Sequence, residues 1–504
     1  MGDEIAPIQL QVIGAALRSI AEEMGAVLIR SAFSANIKER RDCSTALFDE
    51  SGRMIAQAEH IPVHLGAMPD AVTAVARLDL DAGEVAFLND PYTGGTHLPD
   101  VTLVSRTALG YAVSRAHHAD VGGIEPASLP AFSRTLEEEG VIVPPQRLTN
   151  DALETFVAAT RLPEERRGDL QAQLAAHRLA ERRLEELCAR RGREQVAAAM
   201  DELYAYSERM VRAALARLPD GRGDAEDVVE AVDGDLAIRC TAELFGDGIH
   251  IDFAGTAPQH DGNLNCPLSV TKSACYLVVR CLTEPDLPAS GGAFAPVTVT
   301  APEGCLVNAQ PPHAVVAGNT ETSSRIVDVV FAAFGRFLDV PAQGQGTMNN
   351  LAFGSDRFTY YETVGGGQGA CADADGPSGV HVAMSNTLAT PAEALELEYP
   401  LRVERWELRL GSGGEGAHRG GDGVVRELRV LEDCRLSVLA ERRRHAPHGA
   451  AGGEDGARGR TLVNGEEQEP KLTRRLRSGD VVQVETPGGG GYGSAISRGR
   501  CDAE

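Results

Sequence analysis

Three of the chain's thirteen histidines fall between Phe87 and Gly123, in the run FLNDPYTGGTHLPDVTLVSRTALGYAVSRAHHADVGG. His97 and Asp100 are three apart with Pro99 between them. Proline fixes φ and has no N–H to donate, so this pair belongs to a turn or an extended corner. Val101 to Val104 and Tyr111 to Ser114 read as two strands, and a hairpin joined near Gly110 returns His117 to the side of His97 and Asp100. Two imidazoles and one carboxylate around a point suit one divalent ion with positions left for water or substrate. Zn, Mn and Fe are all compatible with those donors. Asp90, His118 and Asp120 lie close in sequence and are the candidate catalytic acid–base groups. The opposing reading is that Asn89-Asp90-Pro91 merely opens a turn and that the histidines are ordinary polar loop residues. The second His/Asp cluster, followed by Gly122-Gly123, weighs toward a site.

These residues need elements to hold them. Ile13, Leu17, Ile20, Met24 and Leu28 make one apolar stripe, which predicts a helix over 8–33. Thr45 to Asp49 and Arg53 to Ala56 predict a hairpin around Ser51-Gly52. Asn36, Lys38, Glu39, Arg40 and Asp42 form a dense polar cluster before it, which composition alone assigns to a solvated loop. His60 and His64 flank Pro62, so their spacing is not one helical face; they are further ligands or packing residues. The proline-rich 129–148 segment carries a candidate lid, EEEGVIVPP. Helices are expected over 151–218 with a break at Gly192, then strands around Gly246-Asp247-Gly248, then helices over 270–282 and 319–338. Arg402 to Leu410, Val424 to Leu431 and Leu436 to Ala440 look like successive strands. The expected fold is therefore α+β and multi-domain. It has an N-terminal α/β catalytic region (1–150), a helical region (151–220), a mixed region (221–400) and a β-rich C-terminal part (401–504).

A net charge of -25 argues against a nucleic-acid or anionic-membrane surface. No apolar run reaches the ~20 residues of a membrane span, and MGDEIAPIQL has no signal-peptide pattern, so a cytoplasmic location is expected. The ten cysteines make no Cys-x-x-Cys pair and read as reduced thiols, with Cys275 and Cys281 in the core. GGGQG at 365–369 lacks the Gly-Lys-Ser/Thr ending of a Walker motif, and no such motif occurs elsewhere. TPGGGGYG near the end reads as a flexible tail on composition.

NDPYTGGTHLPD followed by AHHADVGG resembles the B (alpha) subunits of ATP-dependent hydantoinases and 5-oxoprolinases, and the related acetone carboxylase alpha subunits. RSAFSANIKERRDCSTALFDESGRMIAQAEHIPVHLGAM, EEGVIVPPQRL, NCPLSVTKSACY, ETVGGGQGAC and TPGGGGYG are similar to family blocks in the same order. The resemblance implies a hydrolase subunit that opens a lactam or hydantoin. ATP is used by a partner of hydantoinase A type with an actin-like fold, in a hetero-oligomer. The partner phosphorylates the carbonyl oxygen, and this subunit supplies a metal-held water, with His118 or Asp120 accepting its proton or orienting the ligands. It also implies that the 36–42 cluster walls the active site, that the glycine tail threads back toward it, and that His117 rather than His118 is the ligand. His118-Ala119 looks more like the hydantoinase and oxoprolinase branch than the carboxylase branch. Two other readings stay open: the alpha subunit of a ketone carboxylase, and a non-catalytic structural subunit whose metal only stabilises it.

Overall fold

The computed structural model describes residues 5–58, 61–283, 288 and 290–494. The helix Pro7–Ser31 buries the predicted stripe, with Ile13, Leu17, Ile20, Met24 and Leu28 all at most 2% exposed. It packs on a six-stranded sheet of order β2-β1-β5-β4-β3-β6, in which every pairing is antiparallel. The strands are β1 (Cys43–Asp49), β2 (Met54–Ala58), β3 (Val85–Leu88), β4 (Asp100–Thr107), β5 (Gly110–His117) and β6 (Gln146–Arg147). Both predicted hairpins are present. The one between β4 and β5 closes at Thr107 and Gly110 and places Asp100 directly opposite His117.

The helices Pro163–Arg191 and Arg193–Leu215 are separated at Gly192, as the pattern predicts. They are not a free-standing layer. Ala172, Ala176, Ala180, Leu184, Val196 and Met200 share one apolar cluster with the first helix and with Leu47, Ile55, Ala112 and Ala116 of the sheet. Burial of that shared face is what holds the helices on the sheet.

A second sheet, β10-β9-β8-β7, is built from β7 (Gly221–Ala231), β8 (Gly234–Phe245), β9 (Gly248–Asp252) and β10 (Val297–Thr300). Only β9 and β10 run parallel. The connection between them carries the helix Leu268–Leu282, as a parallel pair requires. Cys275 of this helix is buried, whereas Cys281 is exposed and is not a core residue. The helix Ser323–Phe334 follows a buried π-turn, Gly318–Thr322.

The C-terminal strands form two sheets. One is β12-β11-β15-β18, from β11 (Asn350–Gly354), β12 (Thr359–Glu362), β15 (Cys434–Leu439) and β18 (Lys471–Leu476). The other is β13-β14-β19-β16-β17, from β13 (Leu401–Arg409), β14 (Gly423–Val430), β16 (Arg460–Val463), β17 (Glu466–Glu467) and β19 (Val481–Glu485). Two expectations fail here. The EEEGVIVPP segment is not a lid: Glu139 is fully buried and accepts from the N–H groups of Val315 and Val316, and Val143 N–H donates to Asn89. The glycine tail is not flexible either, since residues 486–491 are buried and bonded to 367–370, 413–421 and 454. No helix among the described residues is long and apolar enough to cross a membrane.

Candidate metal centre

The hairpin register fixes the site. Asp100 opens β4 and His117 ends β5, directly across from it. His97 sits in the turn before β4, where Asp100 N–H bonds its carbonyl. Asp100 Oδ1 lies 3.1 Å from His97 Nε2 and 3.2 Å from His117 Nδ1, and the two nitrogens are 3.1 Å apart. All three side chains are at most 3% exposed. Two imidazole nitrogens so close to each other and to one carboxylate oxygen have more lone pairs than protons to share. One ion with bonds of roughly 2.0–2.2 Å to each donor satisfies all three, so the residues present fit a divalent metal.

The surroundings hold these donors in place. The Asn36 side-chain amide donates to the His117 carbonyl at 2.8 Å, and His117 N–H donates to the Asp42 carbonyl. Tyr361 stacks on the His117 ring at 4.9 Å and 14°, and its hydroxyl donates to Asn350 Oδ1. The Thr96 hydroxyl donates to Asp100 Oδ2, and His64 Nε2 faces that oxygen at 3.5 Å. Burial acts to raise the Asp100 carboxyl. The neighbouring imidazole of His97 and hydrogen bonds from His117, His64 and His97 outweigh it and hold the carboxyl well below the usual range. Burial lowers His64 below its ordinary value despite Asp100, which keeps it a neutral neighbour. In front of the donors lies a cavity of about 20 Å³, walled by Asp42, His64, Asn319, Met348, Tyr361 and Met384. That is room for one water molecule.

The other candidates lie elsewhere. Adjacent strand residues face opposite ways, so His118 turns to the helix side of the sheet. There its Nε2 pairs with Gln173 Oε1 at 3.0 Å, and burial pushes it down to about 4. Asp120 accepts from Arg161 at 2.9 Å and from Gly122 N–H in its own turn. Asp90 caps the turn Pro91–Thr93 by accepting from Tyr92 N–H and the Thr93 hydroxyl, and it borders a separate cleft. The structure therefore does not bring Asp90, His118 or Asp120 to the three donors: Asp90 is taken up by its own turn, His118 by Gln173, and Asp120 by Arg161 and Gly122. His60 lies outside the described residues. Asn319, Met348, Tyr361 and Met384 come from segments more than two hundred residues away and carry no local signal of a site. Of them, only Tyr361 had a hint, immediately before the ETVGGGQGAC block.

The family model "Hydantoinase B/oxoprolinase" matches residues 6–495, and the chain belongs to that family. Over 97% of its length it is 37% identical to 5-oxoprolinase 1 of Arabidopsis thaliana, of which it spans 42%. It is 31% identical to the B component of a putative D-/L-hydantoinase of Pseudomonas sp. (strain NS671), covering 98% of this chain and 91% of that protein. Among solved structures, the ATP-dependent caprolactamase from Pseudomonas jessenii superposes with a TM-score of 0.92 at 29% identity, covering 98% of this chain and 92% of that one. Acetone carboxylase in its nucleotide-free form shares the fold, with a TM-score of 0.87 at 17% identity over 98% of this chain and 76% of that one.

Proposed function

We propose that the chain is the metal-bearing, ring-opening subunit of an ATP-dependent cyclic amidase of hydantoinase or 5-oxoprolinase type, working with a separate ATP-using partner. The observation that carries this reading is the convergence of His97, Asp100 and His117 on one water-sized cavity. The names of the relatives support the substrate class. The sequence has no phosphate loop of Walker type, which supports assigning ATP to the partner.

Amide resonance makes a lactam a poor electrophile, and phosphorylation of its carbonyl oxygen by the partner makes it a good one. His97 Nε2, Asp100 Oδ1 and His117 Nδ1 would hold the ion. When bound, the ion supplies Lewis acidity that brings the pKa of water toward neutrality. Tyr361 stacks on the His117 ring and Asn36 holds the His117 backbone through its carbonyl, so the donor is pre-set before reaction. Asp42 is the carboxylate placed to accept a proton from the attacking water. It lines the cavity, and among the described residues its carboxylate accepts one long side-chain hydrogen bond, from Asn36 Nδ2 at 3.5 Å. Ile61, Val63, Met348 and Met384 keep bulk water away.

The test is product analysis of the purified chain with and without its partner, on hydantoin and 5-oxoproline with ATP. The expected result is a ring-opened amino acid with ADP and phosphate from the mixture, and neither product from the chain alone. ATP turnover by the single chain, or a mixture that leaves both rings closed, contradicts the reading.

A further inference from the structure

Asn319 sits on the cavity wall and is used by nothing so far described. It is 3% exposed, and its Oδ1 is fully shielded without a hydrogen-bond partner among the described residues. Unpaired buried acceptors are costly and rare, so such a group has a partner that arrives later or is water. The turn that carries it is fixed on both sides. Gly318 lies so close to Asn265 that a Cβ would stand 1.7 Å from its carbonyl oxygen. Thr322 Oγ1 donates to the Leu264 carbonyl at 2.6 Å. From the same turn, Glu321 accepts from Asn350 Nδ2 at 2.6 Å, and Asn350 in turn accepts from Tyr361. Single π-turns of this kind recur at functional sites. Here the turn presents a carboxamide to the cavity from a rigid support.

We propose that the Asn319 carboxamide holds the ring amide of the substrate beside the metal donors, and so selects cyclic amides that keep an N–H next to the carbonyl. This rests on the cyclic-amidase reading above. A small ring forces its amide to be cis, which sets N–H and C=O on one edge. The ring N–H donates to Asn319 Oδ1, a contact that does not need the carbonyl oxygen that the partner phosphorylates. A ketone offers only an acceptor and leaves Oδ1 unpaired. The cavity in its present form holds a water but not a ring. Two of its walls, Met348 and Met384, are unbranched side chains that change shape readily, so a ring can be admitted there.

The experiment is calorimetric binding of 5-oxoproline and its N-methyl derivative to the metal-loaded chain, for wild type, Asn319→Ala and the near-isosteric Asn319→Leu. Metal content and melting temperature are measured alongside. Wild type is expected to prefer the N–H ring by at least roughly tenfold, the value of one lost hydrogen bond. Both variants are expected to lose that preference while keeping one equivalent of metal. If Asn319→Ala does not fold, the Leu variant carries the comparison. Wild type that binds neither ring or does not distinguish them, or variants that keep the preference, overturn the proposal and leave only water at Oδ1. Ring opening with ATP and the partner is scored separately. A complex that shows the preference but opens no ring refutes the proposed function and leaves the role of Asn319 standing.

Discussion

His117 and His118 are adjacent, both fully or nearly buried, and chemically identical, yet one faces His97 and Asp100 and the other faces Gln173. Strand alternation separates them. It follows that His117→Ala empties the metal site. His118→Ala keeps the metal but leaves Gln173 short of a partner, at a cost of about 1–3 kcal/mol. Elemental analysis and denaturant melts of the two variants check this, and a full site in His117→Ala with an empty one in His118→Ala reverses the assignment. The donor triad was legible in the sequence because the hairpin's turn and strand residues set the register locally. The packing of Asp90, His118 and Asp120 was not. Residue type flags a carboxylate or an imidazole, but not that Arg161, Gln173 or a turn N–H has already claimed it.

At the scale of elements, periodic patterns placed the first helix, the Gly192 break and the hairpins, since a repeating apolar face is a local property. Two glycine- and proline-rich stretches misled, since what orders them is distant backbone. Gly489 packs so closely on Gln368 that a Cβ would stand 2.0 Å from its carbonyl oxygen. Gly489→Ala is therefore expected to destabilise the C-terminal sheets by several kcal/mol, on the order of 3 or more, as a lower melting transition would show. The segment expected to be a lid is anchored by Glu139. Burial pushes its carboxyl up to about 7, against hydrogen bonds from Val316, Val315 and Ser133. The folded value exceeds the ordinary 4.5, so the native state keeps a proton that the unfolded chain releases across that interval. The contribution of this group to stability therefore falls as pH rises from about 4.5 to about 7. Relative to Glu139→Gln, which does not titrate, wild type should lose on the order of 1–3 kcal/mol over that window in paired melts. A difference that stays flat or grows with pH contradicts the protonated carboxyl.

Across the whole molecule, the cavity beside His97, Asp100 and His117 lies where distant parts of the chain meet. Arg40, from the polar cluster that composition assigned to solvent, is buried. It donates to the Tyr361 carbonyl at 2.7 Å and to Thr363 and Thr387 at 2.6 and 2.9 Å, tying the first sheet to the third. Arg325, Asp328, Arg442, Glu441 and Lys471 form a second buried charged seam, between the helix Ser323–Phe334 and the C-terminal strands. Buried pairs of this type add little net stability but are costly to break, so they fix how the parts meet. The walls of the site thus depend on the entire fold, while its donors depend on one hairpin. The decisive experiment is the ring-opening rate of the ATP-using complex as metal is stripped from this chain and restored. Turnover is expected to be proportional to metal bound at His97, Asp100 and His117, with folded His117→Ala lacking both. Full turnover by the metal-free wild-type complex would contradict a metal-dependent ring opening at this site.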